Sequence, residues 1–365
     1  MTYLTPLFGP FVTAFLLALC LTPPVRALAC VTGVLDKPSP RKLHDRPVPL
    51  LGGVALYAAI GGATVFFAPP APGLLGLVAG ATLLLLTGLW DDTRGLSPGA
   101  KLLTQGVAAL LALAGGVSIS VLPHPLLNWG ITAIWLVGIT NAFNLLDNMD
   151  GLSAGLAAIS AGTFAILAAR YAEVGPEQLP TAVAGAAIAG ASLGFLRHNL
   201  YHASIFMGDA GSQSVGFLLA GLAAYGSWRS PTLPTSLLIP LLVLAYPIFD
   251  TTLVTLLRWR HGRPLTLGGR DHSSHRLVRL GLGRTETVLL IYLFALTHAL
   301  TAALVTSVTL RLALIALTIS ASVLFIFGMV LRKVDVYGDG GGALGGGLQP
   351  ALRKEEVIPG EQTDR

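Results

Sequence analysis

Residues 131–151 read "ITAIWLVGITNAFNLLDNMDG". An apolar run passes without a turn signal into a segment holding three Asn and two Asp. Polar and ionisable groups in or beside a membrane span are costly, and they mark functional sites by default. The stretch therefore raises two questions. One is whether the chain spans a membrane; the other is what these amides and carboxylates do at the end of a span.

Similar runs recur along the whole chain. Of 365 residues, 53% are hydrophobic and 11% charged, against about 25% charged in an ordinary soluble domain. Eleven apolar runs lie near 5–27, 51–68, 72–90, 101–121, 126–143, 151–171, 180–197, 211–227, 235–257, 287–309 and 311–331. A helix of about 20 residues crosses a hydrocarbon core about 30 Å thick. The expected fold is all-α, one polytopic integral-membrane bundle of about 11 transmembrane helices over residues 1–334. Residues 335–365, Gly-rich and then charged, are expected to form a disordered tail. "APPAPG" and "GVLDKPSP" fall between runs, as turns should. Cys20 and Cys30 have no metal spacing and read as small packing residues.

Charge gives the expected orientation. The loops after runs 1, 3, 5, 7 and 9, with the tail and adjoining span ends, hold every Lys and Arg except Arg170, Arg229 and Arg311. The positive-inside rule puts that face in the cytoplasm, with the N-terminus outside and the C-terminus inside. The net charge of +5 then reports topology and calls for no nucleic-acid partner. Among the acids, only Glu173 and Glu177 fall on the outer side. Asp91, Asp92, Asp147, Asp150 and Asp209 gather at cytoplasmic span ends, and Asp250 lies inside "LLIPLLVLAYPIFDTTLVTLL".

Each cluster has a chemical reading. In "LWDDTRG", Asp91 and Asp92 repel each other unless a cation or proton lies between them. Asn144, Asp147 and Asp150 are spaced i, i+3, i+6 and share a face if the helix continues through them. Carboxylates with amide carbonyls are a hard-oxygen set suited to Mg²⁺. "FMGDAGSQSVGF" puts Asp209 and Ser212 at a helix start between small residues, where a phosphate can approach closely. The loop "RHGRPLTLGGRDHSSHRLVRLGLGR" is rich in Arg, whose forks suit phosphate oxygens, and carries His272, His275 and Arg276. His272 and His275 lack a third soft ligand for zinc. The first basic loop adds Lys37, Arg41, Lys42, His44 and Arg46.

Acidic metal ligands and basic phosphate clamps thus meet on one membrane face. Such a face suits a soluble anionic substrate and a lipid phosphate bridged by Mg²⁺. A transporter would instead place its acids near the bilayer midplane in matching broken helices. Here only Asp250 lies within a span, and the sequence has no evident internal repeat.

Together "WDDTRG", "NAFNLLDNMDGL" and "GDAGS" resemble the polyprenyl-phosphate N-acetylhexosamine-1-phosphate transferases over about residues 35–285. This family starts O-antigen and teichoic-acid synthesis. Phospho-N-acetylmuramoyl-pentapeptide transferase, a more distant branch, is the alternative activity. The resemblance implies a bacterial plasma-membrane enzyme with its site on the cytoplasmic face. It would transfer a sugar-1-phosphate, GlcNAc-1-phosphate as the modal case, from a UDP-N-acetylhexosamine to undecaprenyl or another polyprenyl phosphate and release UMP. The implied cofactor is Mg²⁺, with Mn²⁺ as a substitute, and a homodimer is compatible with it.

By position, the resemblance gives catalytic roles to Asp91, Asp92 and Asp147 and metal ligation to Asn144 and Asp209. It implies substrate contacts for Lys42, Lys101, Asp150, His272, His275 and Arg276. The family's H-x-H-H-R loop falls on residues 272–276, where Ser274 replaces a His, and Asn148 stands where Gly is usual.

Overall fold

Proline opens much of the bundle. The computed structural model describes residues 2–38, 45–173, 175–226, 228, 235–265 and 269–336. Its first helix, α1 (Thr5–Thr32), has Pro at its start and stops at Gly33, whose φ of +74° lets its N–H close onto Ala29. Two short antiparallel strands, β1 (Leu35–Asp36) and β2 (Val48–Pro49), follow. Then come α2 (Gly52–Phe67), α3 (Pro72–Arg94), α4 (Pro98–Ala114), α5 (Pro125–Leu146) and α6 (Leu152–Ala172). The chain continues through α7 (Leu179–Asn199), α8 (Gly208–Tyr225), α9 (Thr235–Val243), α10 (Ala245–Arg260), α11 (Ser273–Arg279), α12 (Arg284–Val305) and α13 (Leu310–Leu331). The prolines opening α3, α4 and α5 supply a preset φ where an N–H has no helical partner anyway.

The chain is a polytopic membrane protein. Among the described residues, seven helical segments are long and apolar enough to cross a bilayer, or eight if α9 and α10 form one bent span. The ninth expected run is the one that breaks. Its halves meet at an angle of 76°. Pro247 explains the position, since it cannot bond the carbonyl four residues back and its ring crowds that carbonyl. α2 and α4 are shorter apolar helices. From residue 337 on, the expected tail lies outside the described residues.

α6, α7 and α8 form the centre, and nearly every residue of α8 is buried. Their Ala and Gly content allows close backbone approach, which drives helix association in lipid. Large apolar side chains such as Phe8, Val31 and Phe66 point outward, as they should toward acyl chains. Cys20 and Cys30 are exposed on α1 and do not pack inside the bundle as expected.

Two glycines bring outer helices onto the start of α8. A Cβ on Gly53 would stand 2.2 Å from the Gly211 nitrogen, and one on Gly88 2.4 Å from Ala210 backbone atoms. Gly88→Ala should therefore destabilise the protein by about 1–3 kcal/mol through overpacking. Gly99→Ala, with open space around its Cβ, should leave the thermal unfolding midpoint in detergent unchanged or slightly raised. Equal midpoints for the two variants would contradict the close packing.

Candidate active site

The start of α8 collects side chains from three other helices. α8 follows Met207, which cannot cap it, and its first residue, Gly208, has φ +69°. The cap comes from α3: Asp92 accepts the N–H groups of Asp209 at 2.9 Å and Ala210 at 3.1 Å. A carboxylate at a helix N-terminus also complements the macrodipole. Asp91, its neighbour, has different partners. It accepts the Leu96 N–H at 2.5 Å and pairs with Lys101 from the first turn of α4. Lys101 also pairs with Asp209, so one ammonium bridges two carboxylates.

α5 supplies the other wall. Asn144 donates through Nδ2 to Asp209 at 2.9 Å and to Ser212 at 3.0 Å. The helix ends at Leu146, and Asp147 is its non-helical cap residue, with ψ 45°. The shared face expected of Asn144, Asp147 and Asp150 is therefore not formed. Asp147 accepts from the Gly208 N–H, whereas Asp150 accepts the Ala203 N–H at 3.0 Å in the loop before α8. Burial, then the Asp209 and Asp92 charges, push the Asp147 pKa up to about 8. A divalent cation beside it would favour its ionised form.

The carboxylates of this cluster border a cavity of about 1400 Å³. Asp91, Asp92, Asp147, Asp150, Asp209 and His275 line it. Arg26, Arg46 and Arg284 line it too, giving the anion-binding charge that an acidic floor lacks. Lys42 lies outside the described residues.

The loop motif divides. His275 reaches the cavity, and burial holds its pKa down to about 4, so it is neutral at pH 7. His272 turns away into a 2.7 Å pair with Asp250. Asp250 also accepts the Ser273 N–H at 2.7 Å and so caps α11 from α10. That accounts for an acid inside an apolar run. Arg276, only 1% exposed, does not line the cavity. It donates to the carbonyls of Asp271 at 2.9 Å, Leu331 at 3.3 Å and Val334 at 2.7 Å. Its position departs from the expected pyrophosphate contact, because the fold buries the guanidinium under the end of α13. Ser274 and Asn148 meet: the Ser274 hydroxyl donates to Asn148 Oδ1 at 2.8 Å.

One feature had no single-residue signal in the sequence. Gln105, Asn141 and Gln213 each lie one turn from a site residue, behind Lys101, Asn144 and Asp209 respectively. Gln105 and Asn141 exchange hydrogen bonds of 3.3 and 2.7 Å, and Gln105 also donates to Gln213 at 3.1 Å. This buried amide ladder ties α4, α5 and α8 below the cluster. A signal could have come from reading three apolar helices in parallel for amides one turn deeper than the acids.

The donor set suits Mg²⁺. Among the described residues no three His, Cys, Asp or Glu side chains converge as a closed metal site. Mg²⁺ needs less, since it keeps several waters and takes one or two carboxylates with substrate phosphates. Asp209 and Asn144 offer hard oxygens if the Asn144 amide flips to present Oδ1. Four carboxylates lie close together and Lys101 pairs with two of them, Asp91 and Asp209, so a cation would offset the negative charge that remains.

The depressed His275 pKa makes a pH prediction. Between its ordinary value of 6.5 and about 4, the unfolded chain takes up a proton that the folded protein refuses. Stability is thus lost as pH falls through that window, and none is gained above pH 7. His275→Gln should lose less thermal stability than wild type between pH 7 and pH 5. Parallel melting curves for the two proteins would contradict the burial of a neutral imidazole.

Comparison with known proteins gives consistent matches. The family model for glycosyl transferase family 4 matches residues 74–227. A Bacillus subtilis (strain 168) protein named "Probable undecaprenyl-phosphate N-acetylglucosaminyl 1-phosphate transferase" is 33% identical over 334 residues, covering 89% of this chain and 90% of its own. A "Decaprenyl-phosphate N-acetylglucosaminephosphotransferase" of Mycobacterium tuberculosis (strain ATCC 25618 / H37Rv) is 35% identical, covering 77% and 78%. The "Undecaprenyl-phosphate alpha-N-acetylglucosaminyl 1-phosphate transferase" of Escherichia coli O157:H7 is 28% identical, covering 74% and 76%.

Proposed function

The chain belongs to glycosyl transferase family 4, and from that premise we propose that it transfers N-acetylglucosamine 1-phosphate from UDP-N-acetylglucosamine to a polyprenyl phosphate. The products are polyprenyl diphosphate N-acetylglucosamine and UMP. One observation carries the reading: Asp91, Asp92, Asp147, Asn144, Asp209 and Lys101 converge from four helices, and most of them border a cavity with basic walls. The finer topology goes with it. Eleven spans, an external N-terminus and a cytoplasmic site in a bacterial plasma membrane agree with the basic loops.

The chemistry needs little covalent help from the protein. A phosphate monoester has a second pKa near about 6, so the lipid phosphate is mostly a dianion at neutral pH. Its oxygen attacks the sugar-bearing phosphorus, and the bond from that phosphorus to the bridging oxygen breaks, leaving UMP. Lys101 is placed to orient the attacking phosphate. Asp91, already paired with Lys101, holds that ammonium in position. Asp92 fixes the start of α8 and with it Asp209. Asn144 and Asp209 would hold Mg²⁺, which when bound neutralises the diphosphate and stabilises the leaving group. Arg26, Arg46 and Arg284 would take the remaining substrate charge.

The test is UMP release by detergent-purified protein given UDP-N-acetylglucosamine, undecaprenyl phosphate and Mg²⁺. Asp209→Ala should lower the rate by about 100-fold or more, while Glu173→Ala, at the end of α6 away from the cavity, should not change it. Without the lipid, direct attack gives no UMP. A stoichiometric burst of UMP from the UDP-sugar alone would instead require a phospho-enzyme intermediate. No UMP from a panel of UDP-sugars would refute the reading.

A further inference from the structure

A second recess lies apart from the catalytic cavity, and no residue lines both. It is a groove of about 980 Å³ between α10 and α13. Its walls are apolar, with Ile248, Phe249, Leu253 and Leu256 on α10 facing Leu324 and Phe325 on α13. One end is strongly basic. Arg260, His261, Arg332 and Lys333 border it, and no Asp or Glu does. Arg260, Arg332 and Lys333 are exposed. In a bilayer any acyl chain fills an apolar groove, but a cationic end selects an anionic headgroup at the membrane surface.

Both walls of this groove hold α11. From α10, Asp250 takes the Ser273 N–H and pairs with His272, each at 2.7 Å. Arg258 binds Asp271 through two parallel bonds of 2.7 Å. From the end of α13, the Leu331 and Val334 carbonyls accept Arg276. α11 in turn presents His275 to the catalytic cavity and hands Ser274 to Asn148. The spacing of α10 and α13 is therefore linked by short polar contacts to the position of His275.

We propose that this groove binds an anionic phospholipid. Its phosphate rests on Arg260, Arg332 and Lys333, its acyl chains lie between α10 and α13, and its occupancy sets the position of α11 at the catalytic cavity. The binding claim stands on the groove alone; the effect on turnover rests on the transferase reading above.

Trp259 lines the groove and is exposed, so it can report occupancy directly. The full-length protein is placed in phosphatidylcholine bilayers containing phosphatidylglycerol or further phosphatidylcholine, the added lipid brominated on its acyl chains. The Trp259 signal is the difference between wild type and Trp259→Phe. Brominated phosphatidylglycerol should quench it more than brominated phosphatidylcholine at equal mole fraction. The triple variant R260Q/R332Q/K333Q should lose that preference. Equal quenching by the two lipids, or an undiminished preference in the triple variant, overturns the proposal.

UMP release is the second readout. It should rise several-fold with phosphatidylglycerol in wild type and not respond in the triple variant, with KM for polyprenyl phosphate unchanged. A raised KM for polyprenyl phosphate in phosphatidylcholine alone would identify the groove's occupant as the acceptor and overturn the phospholipid. If no composition supports UMP release, the transferase reading fails, and the quenching result still decides the groove.

Discussion

The whole site hangs on the first turn of α8. A helix start inside a membrane protein has N–H groups that neither lipid nor its own helix can satisfy. Here the residue before the helix is Met207, so the answer comes from across the bundle in the carboxylate of Asp92. That contact needs α3 close by, and Gly88 permits it, as Gly53 does for α2. Once α8 is seated, Asp209 faces Lys101 and Asn144, and the Gly208 N–H faces Asp147. A backbone requirement and an active-site arrangement are met by the same side chain.

The same solution appears a second time. Asp250 caps α11 from α10, and it holds His272 as it does so. A buried carboxylate is costly unless donors surround it, and Asp250 receives them from Ser273 and His272. Behind the catalytic cluster, the amides of Gln105, Asn141 and Gln213 satisfy one another. Asp92, Asp250 and this amide ladder fix which helices lie side by side, and chemistry is left to the groups that reach the cavity.

The sequence carries much of this architecture. Every apolar run contains a helix, because backbone in hydrocarbon has few other choices, although the run at 101–121 leaves helix after Ala114, and the acids gather at one end as charge asymmetry requires. The break at Leu244 was also written there, in Pro247, but composition alone reads straight through it. Side-chain roles were less legible. Adjacent aspartates look alike in "WDDTRG", yet Asp92 caps a helix 117 residues away while Asp91 holds a lysine. Asn144, Asp147 and Asp150 share a face only while the helix continues, and α5 stops at Leu146, so Asp147 and Asp150 reach the cavity from the turn that follows. Arg276 carries the charge of a phosphate ligand but is turned by the fold toward carbonyls at and just beyond the end of α13. Such assignments depend on contacts distant in sequence, which no local pattern encodes.

The bond between Ser274 and Asn148 has a consequence for how this chain can drift. The pair joins α11 to the turn after α5, across 126 residues of sequence. Exchanging Ser274 for His, without a change at Asn148, would force a larger ring against an amide already seated on Leu145. Exchanging Asn148 for Gly alone would leave the buried Ser274 hydroxyl only its longer 3.3 Å contact with His275 Nδ1. Either change alone costs a contact between two segments that both reach the cavity, so the two positions are coupled through a single hydrogen bond.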